Sequence, residues 1–311
     1  MELASFERAR ELWSRYLPKT RLVRAASLES NPEQKIFLKL ESELPTGSFK
    51  VRGALYALSV RMAQTKVREV VASSTGNHGA AVAYAAQLLG MKARIFLPEN
   101  CNQVKRANIA RLGAEIVEKG SADLAEAFEA ANEYAQERDV FFLNDATDPD
   151  LPAGPGTIAS EILEQCPDAD SIYVPMGDTA LIRGVAEAAK QISTNVKIVG
   201  VQSERAPSYF LSWREGRAIA TDTCDTIADG LATRTPVAGN VDAIRRLVDD
   251  VVLVSEQEML GAIGRLLIAE HVVAEPAAAA ATAAFLKSNE DKNHNVVLLV
   301  TGANIATDVL R

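Results

Sequence analysis

The chain of 311 residues carries 33 Lys and Arg against 41 Asp and Glu, a formal net charge of −8. Phosphate-rich partners need clustered basic side chains to displace counterions, so this balance speaks against nucleic acid and anionic membrane surfaces and favours small-molecule ligands. With 48% hydrophobic and 24% charged residues, the composition is that of a globular chain able to bury one large core or two medium ones, not of a disordered one.

The first residues, MELASFERARELW, are amphipathic and acidic, with no basic region leading into an apolar stretch. Neither a signal peptide nor a transit peptide is expected there. No apolar run reaches the roughly 18–20 residues that cross a bilayer. Further along, short apolar runs predict strands at Ile36–Leu40, Val70–Ala72, Ala93–Leu97, Glu115–Val117, Phe141–Leu143, Ile172–Val174, Lys197–Val201, Asp250–Val254 and Val296–Val300. Segments of helical period fill most gaps: Gly79–Leu89, Asn102–Leu112, Ala122–Gln136, Ile182–Gln191, Gln257–Ala269 and the alanine-rich Ala277–Lys287. The alternation predicts a parallel α/β architecture. The stretch from about Val70 to Asn144 forms a self-contained βα series enclosed by segments of another sheet. Cys101, Cys166 and Cys224 are widely spaced and odd in number, which fits unpaired thiols in a reducing, cytoplasmic setting.

Four segments could carry chemistry. Lys50, in PTGSFKVRGA, stands at the start of an apparent helix, where the dipole and burial would both lower an ammonium pKa and favour Schiff-base chemistry; a lone lysine of this kind is more often a surface residue. In Ser73-Ser74-Thr75-Gly76-Asn77-His78-Gly79, hydroxyls, an amide and backbone N–H groups converge between a strand and a helix, suited to a carboxylate or to simple capping. Met176-Gly177-Asp178-Thr179-Ala180-Leu181 repeats that setting and could seat a phosphate, although Asp178 is an unfavourable neighbour for one; by itself it reads as a plain turn. Thr301-Gly302-Ala303-Asn304 follows an apolar strand, at the strand end where open α/β sheets gather ligands. His271 and His294 have no partner spacing, and no metal, dinucleotide or nucleotide-phosphate motif is present.

Taken in order, these segments resemble the pyridoxal-phosphate family of fold type II, in its threonine/serine dehydratase and serine racemase-like branch. AGPGTIASEI (153–162), IVGVQSERAPSYFLSW (198–213), DTIADGLATRTP (225–236), VAEPAAAAA (273–281) and VVLLVTGAN (296–304) extend the resemblance over nearly the whole chain. It implies two open, twisted, mainly parallel sheets flanked by helices, with the cofactor in the cleft between a large domain (1–68 and 145–311) and a small one (69–144). It makes Lys50 the Schiff-base lysine and proton-transfer base, with Phe49 beside the ring. Asn77 would bond the cofactor's 3-hydroxyl, Gly177, Asp178, Thr179, Ala180 and Leu181 would hold the phosphate, and Thr301 would face the pyridine nitrogen. Ser74, Thr75, Gly76 and His78 would line the substrate-carboxylate loop, with Thr75 also a catalytic candidate on the face opposite the lysine.

The function so implied is an ammonia-lyase that converts L-threonine, L-serine or a related β-hydroxy amino acid to a 2-oxo acid and ammonia, working as a homodimer. The alternatives are an amino-acid racemase and a non-catalytic cofactor or amino-acid binding protein. The chain departs from the family pattern in its GDTAL phosphate loop, in Thr75 where racemase-like members have serine, and in Gln202 and Ser208 where they have metal-binding carboxylates. No metal is expected.

Overall fold

Strands that are apolar on both faces are stable only between layers, and the computed structural model builds two such sheets. It describes every residue except 1, 2, 75, 100, 102, 120–123, 139, 289–294, 307, 308, 310 and 311. The strands are β1 (Leu22–Arg24), β2 (Lys35–Leu40), β3 (Glu69–Ser73), β4 (Lys92–Leu97), β5 (Glu115–Glu118), β6 (Phe141–Phe142), β7 (Ser171–Pro175), β8 (Lys197–Ser203), β9 (Asp250–Val254) and β10 (Asn295–Val300). The larger sheet has the order β1, β2, β10, β7, β8, β9 and the smaller β5, β4, β3, β6. All pairings are parallel except that of the edge strand β1 with β2. The predicted strands all form, within one or two residues of their expected ends.

The helices are α1 (Leu3–Tyr16), α2 (Lys50–Gln64), α3 (Asn77–Leu89), α4 (Gln103–Arg111), α5 (Leu124–Arg138), α6 (Ala153–Gln165), α7 (Ala180–Ile192), α8 (Ser208–Glu215), α9 (Ala238–Leu247), α10 (Glu256–Ala269) and α11 (Pro276–Lys287). Helix α10 starts on a capping box, in which the Ser255 hydroxyl accepts from the Glu258 N–H and the Glu258 carboxylate accepts from the Ser255 N–H. The alanines of α11 are buried against the inner residues of β2, β7, β8 and β10. Methyl side chains let this helix lie close to the sheet at little entropic cost. Helix α6 begins Ala-Gly-Pro-Gly, a poor helix former by propensity, because its backbone touches two neighbours. A Cβ at Gly154 would lie 2.1 Å from the Arg52 carbonyl oxygen of α2, and one at Gly184 of α7 would lie 2.0 Å from the Pro152 carbonyl oxygen.

Parallel strands end on one edge of each sheet, and three of the four segments singled out in the sequence follow such ends: Ser74 after β3, Gly177 after β7 and Thr301 after β10. Lys50 reaches the same place by pairing. The Phe49 N–H donates to the Thr301 carbonyl (3.0 Å), the Ala303 N–H to the Gly47 carbonyl (2.9 Å), and Ser48 bridges Gly302. Among the described residues no helix is long and apolar enough to cross a membrane.

Candidate active site

A cavity of about 970 Å³ opens between the two sheets. Its lining contains Phe49, Lys50, Ser74, Gly76, Asn77, His78, Gly177, Asp178, Thr179, Ala180, Leu181 and Thr301, the candidates drawn from four separate parts of the sequence. Thr75 lies outside the described residues, as does His294. His271 is exposed, with a left-handed backbone, φ 56°.

Two thirteen-residue helices point their N-termini at this space without side-chain caps. Helix α3 starts after Gly76, whose N–H donates to the Ser74 hydroxyl (3.2 Å); helix α7 starts after Thr179, held in the left-handed region at φ 69°. The first N–H groups of a helix have no partner within it, so each end is a seat for an anion. At α7 the seat is tight. A Cβ on Gly177 would lie 2.2 Å from the Gly230 carbonyl oxygen, a contact that requires the backbone to move. Gly177→Ala is expected to weaken phosphate-type ligands by about tenfold or more, checked by equilibrium dialysis, because the loop and the 225–236 segment must part to admit the methyl group. On the first turn of the same helix Arg183 donates from Nε to the Thr179 hydroxyl (3.2 Å), while its buried Nη2 has no partner among the described residues.

Lys50 Nζ lies 2.7 Å from Asp145 Oδ2, and the Asp145 carboxylate is in turn 4.0 Å from His78 Nδ1. The other imidazole nitrogen, Nε2, is 2.9 Å from the Leu143 carbonyl oxygen; that oxygen can only accept, which assigns the proton to Nε2. On the far side, Asn77 donates from Nδ2 to Glu275 Oε1 (2.7 Å) and its Oδ1 accepts from Asn304 Nδ2 (2.7 Å). Asn304 also donates to the Thr46 carbonyl (2.9 Å), tying the loop before Lys50 to α3.

The pKa of Lys50 shifts in the direction opposite to the one anticipated from its position. Burial pulls the ammonium pKa down, but Asp145, Asp178 and Glu275 outweigh it and hold the pKa above its ordinary value. Asp145 is affected first by burial, which would raise it; Lys50 and His78 then reverse this and hold it far below the usual carboxylate range. Asp178 is pushed up, by burial and then by the Asp145 charge, while Thr233 donates to its Oδ1 (3.0 Å). Gln202 and Ser208 are engaged internally: Gln202 Oε1 accepts from the Phe210 N–H (2.9 Å) and the Ser208 hydroxyl donates to the Thr233 carbonyl. No cluster of three potential metal ligands occurs among the described residues.

Two participants escape the sequence reading, Asp145 and Glu275, while Asn304 lies in the Thr301–Asn304 segment without a role of its own there. Asp145 had a detectable signal, an Asn-Asp turn directly after the apolar run ending at Leu143, at the carboxyl end of a parallel strand.

A lysine amine, a glycine-backed helix N-terminus for a phosphate and a second one for a carboxylate form the donor set that pyridoxal phosphate and an amino acid require. A family model described as pyridoxal-phosphate dependent enzyme matches residues 14–302. Among curated proteins, the L-threonine ammonia-lyase of Thermotoga maritima is 35% identical over 308 residues, 99% of this chain and 77% of the relative. The catabolic L-threonine dehydratase TdcB of Escherichia coli K12 is 34% identical over 290 residues, 92% and 88% of the two chains. Among solved structures, maize serine racemase superposes with a TM-score of 0.93 at 29% identity, covering 99% of this chain and 95% of that one. The processed form of threonine deaminase isoform 2 from Solanum lycopersicum gives 0.91 at 29% identity, covering 100% and 87%.

Proposed function

Because the chain belongs to the pyridoxal-phosphate dependent enzymes, a family whose threonine ammonia-lyase members it matches over nearly its full length, we propose that it is an ammonia-lyase for L-threonine, L-serine or a close β-hydroxy relative. The observation that carries this reading is Lys50, set in a cavity between two uncapped helix N-termini.

Bound pyridoxal phosphate supplies an aldehyde that captures amines and a ring that withdraws electrons from the attached carbon. The chain's own residues do the rest. Lys50 is the amine that would hold the aldehyde carbon and, once displaced by substrate, would take the α-proton at Nζ. The α7 N-terminus, with Gly177, Asp178, Thr179, Ala180 and Leu181, would hold the phosphate, and Phe49, Asn77 and Thr301 would bracket the ring. The N-terminus of α3 with Ser74, Thr75, Gly76 and His78 would orient the substrate carboxylate, so that the proton to be removed faces Lys50. Thr301 would offer the ring nitrogen a neutral hydroxyl, which does not enforce its protonation as a carboxylate would and suits loss of a β-hydroxyl. We read residues 69–144 as the smaller domain of the pair. The exposed apolar side chains Leu260, Leu267, Ile268 and Val273 support a homodimer, and the odd number and wide spacing of the cysteines support a cytoplasmic setting.

The test is release of 2-oxo acid from a panel of β-hydroxy amino acids by the cofactor-loaded protein, with Lys50→Ala expected to lower turnover by about a thousandfold or more. Absence of 2-oxo acid from every member of the panel would overturn the reading. Likeness to serine racemase supports a second activity at the same site, and chiral chromatography after incubation with L-serine measures it.

A further inference from the structure

Lys50 has one hydrogen-bond partner among the described residues, and that partner is a carboxylate the proposed chemistry does not use. Asp145 Oδ2 stands 2.7 Å from Nζ with both side chains largely withdrawn from water, at 18% and 24% exposure. The carboxylate is held in place by its neighbours. The Asn144 side chain accepts from the Ala146 N–H (2.9 Å), the Asp148 N–H donates to the Asn144 carbonyl (3.0 Å), and Asn240 donates to the Ala146 carbonyl (3.0 Å). The turn is therefore closed on both sides of Asp145. His78, anchored to Leu143, backs the carboxylate at 4.0 Å.

The other charged groups facing Lys50 come from different elements. They are Asp178 before α7, bonded by Thr233, and Glu275 before α11, bonded by Asn77; both act at longer range. His78, on α3, acts on Asp145 and Asp178.

We propose that Asp145 is the counter-ion that sets the proton affinity of Lys50. The proposal rests on the reading of Lys50 as the cofactor lysine and deepens it. When the substrate amine displaces Lys50, the freed amine takes the α-proton. The Cα–H bond breaks, an N–H bond forms on Nζ, and the electron pair stays with the carbon and the ring it is joined to. The ammonium so formed is received by a carboxylate already in place, in a charge-assisted hydrogen bond stronger than a neutral one. Asp145 thereby makes Lys50 a stronger base in the working enzyme. The same ion pair slows loading, since an ammonium cannot attack the aldehyde until it loses its proton. Asp145 is thus a positioning residue that acts through Lys50.

The experiment reads Lys50 in the cofactor-free protein. Pulsed acetylation across a pH series, followed by peptide mass spectrometry, gives the midpoint at which Lys50 becomes reactive. For the natural chain it should lie above the ordinary lysine value of about 10.4, and Asp145→Asn should lower it by about one unit or more, because burial then meets weaker opposition. Cofactor uptake at neutral pH, followed by absorbance, should be about tenfold faster in that variant. With turnover measured on the loaded protein, the acid limb of kcat should move to lower pH in parallel, and Asp145→Glu should restore part of it. Asp145→Ser is read alongside, so that a folding failure of one neutral variant leaves the measurement open on the other. An unchanged Lys50 midpoint in either folded neutral variant overturns the proposal. Full turnover by Lys50→Ala would instead overturn the assignment of the lysine, whatever the acetylation shows.

Discussion

Arg52→Met is expected to destabilise the fold by roughly 3–5 kcal/mol, the cost of breaking a buried ion network by removing one partner. Arg52 is fully buried on α2, two residues beyond Lys50, and all three of its nitrogens are engaged. Nε donates to Glu41 Oε2 (2.7 Å), Nη1 to Glu161 Oε1 (2.8 Å) and the Thr157 hydroxyl (2.7 Å), and Nη2 to Glu41 Oε1 (2.9 Å) and Glu161 Oε2 (3.0 Å). Its guanidinium lies 4.2 Å over the Trp13 ring. Lys39 Nζ, also fully buried, sits 2.6 Å from Glu161 Oε2 and donates to the Thr20 carbonyl. Methionine fills the volume but leaves two buried carboxylates facing one ammonium.

The effect should depend on pH in a defined direction. Burial raises the Glu161 pKa, but Arg52 and Lys39 more than reverse that, so the net shift is downward. A depressed acid contributes stability above its unfolded pKa and loses it as pH falls through the folded value. In Arg52→Met that contribution shrinks, so the gap between the natural chain and the variant should narrow as pH falls from 7 toward 4. Urea melts at the two pH values measure it. A gap that is constant or widens on acidification would show that packing against Trp13, not charge, accounts for the loss.

How much of this was legible beforehand follows from the range of each interaction. The strands of the two sheets could be read because their apolar runs are local. β1 could not: Leu22–Arg24 is three residues long and takes its conformation from pairing with β2. α6 was hidden by its opening Ala-Gly-Pro-Gly, where helix propensity is overridden by backbone contact with α2 and α7. The candidate site was visible as three strand-end segments and the helix start at Lys50, but their charge balance was not. The expectation of a lowered Lys50 pKa took account of the helix terminus and burial, both encoded near residue 50. The carboxylates that reverse it stand 95, 128 and 225 positions away, read directly from the numbering of Asp145, Asp178 and Glu275. The Arg52 network is distributed in the same way over α2, α6 and the end of β2.

Asp178→Asn is expected to tighten pyridoxal phosphate binding by about tenfold or more at pH 8.5, and that advantage should shrink as pH falls toward 6. The natural residue puts a carboxyl group within the loop that would seat a phosphate dianion, and the groups facing it are Asp145, Lys50 and His78. Burial and the Asp145 charge already raise its pKa, and a dianion at the α7 N-terminus would raise it further. The loop is then compatible with phosphate when Asp178 is neutral and opposes it when Asp178 is ionised, so binding takes up a proton. Affinity in the natural chain therefore falls as pH rises above the acid's own titration range. By the same sign, Asp178 favours the folded, cofactor-free chain at low pH, and that contribution is lost as pH rises through its raised pKa. Asparagine keeps an oxygen to accept from the Thr233 hydroxyl, now 3.0 Å away, and has the same size, so the loop need not rearrange. Equilibrium dialysis at the two pH values, with proton uptake followed by calorimetry in buffers of different ionisation enthalpy, reads both halves of the argument. Equal affinity of variant and natural chain at pH 8.5 would mean that Asp178 and the phosphate do not sense each other. The phosphate would then be held somewhere other than the α7 N-terminus.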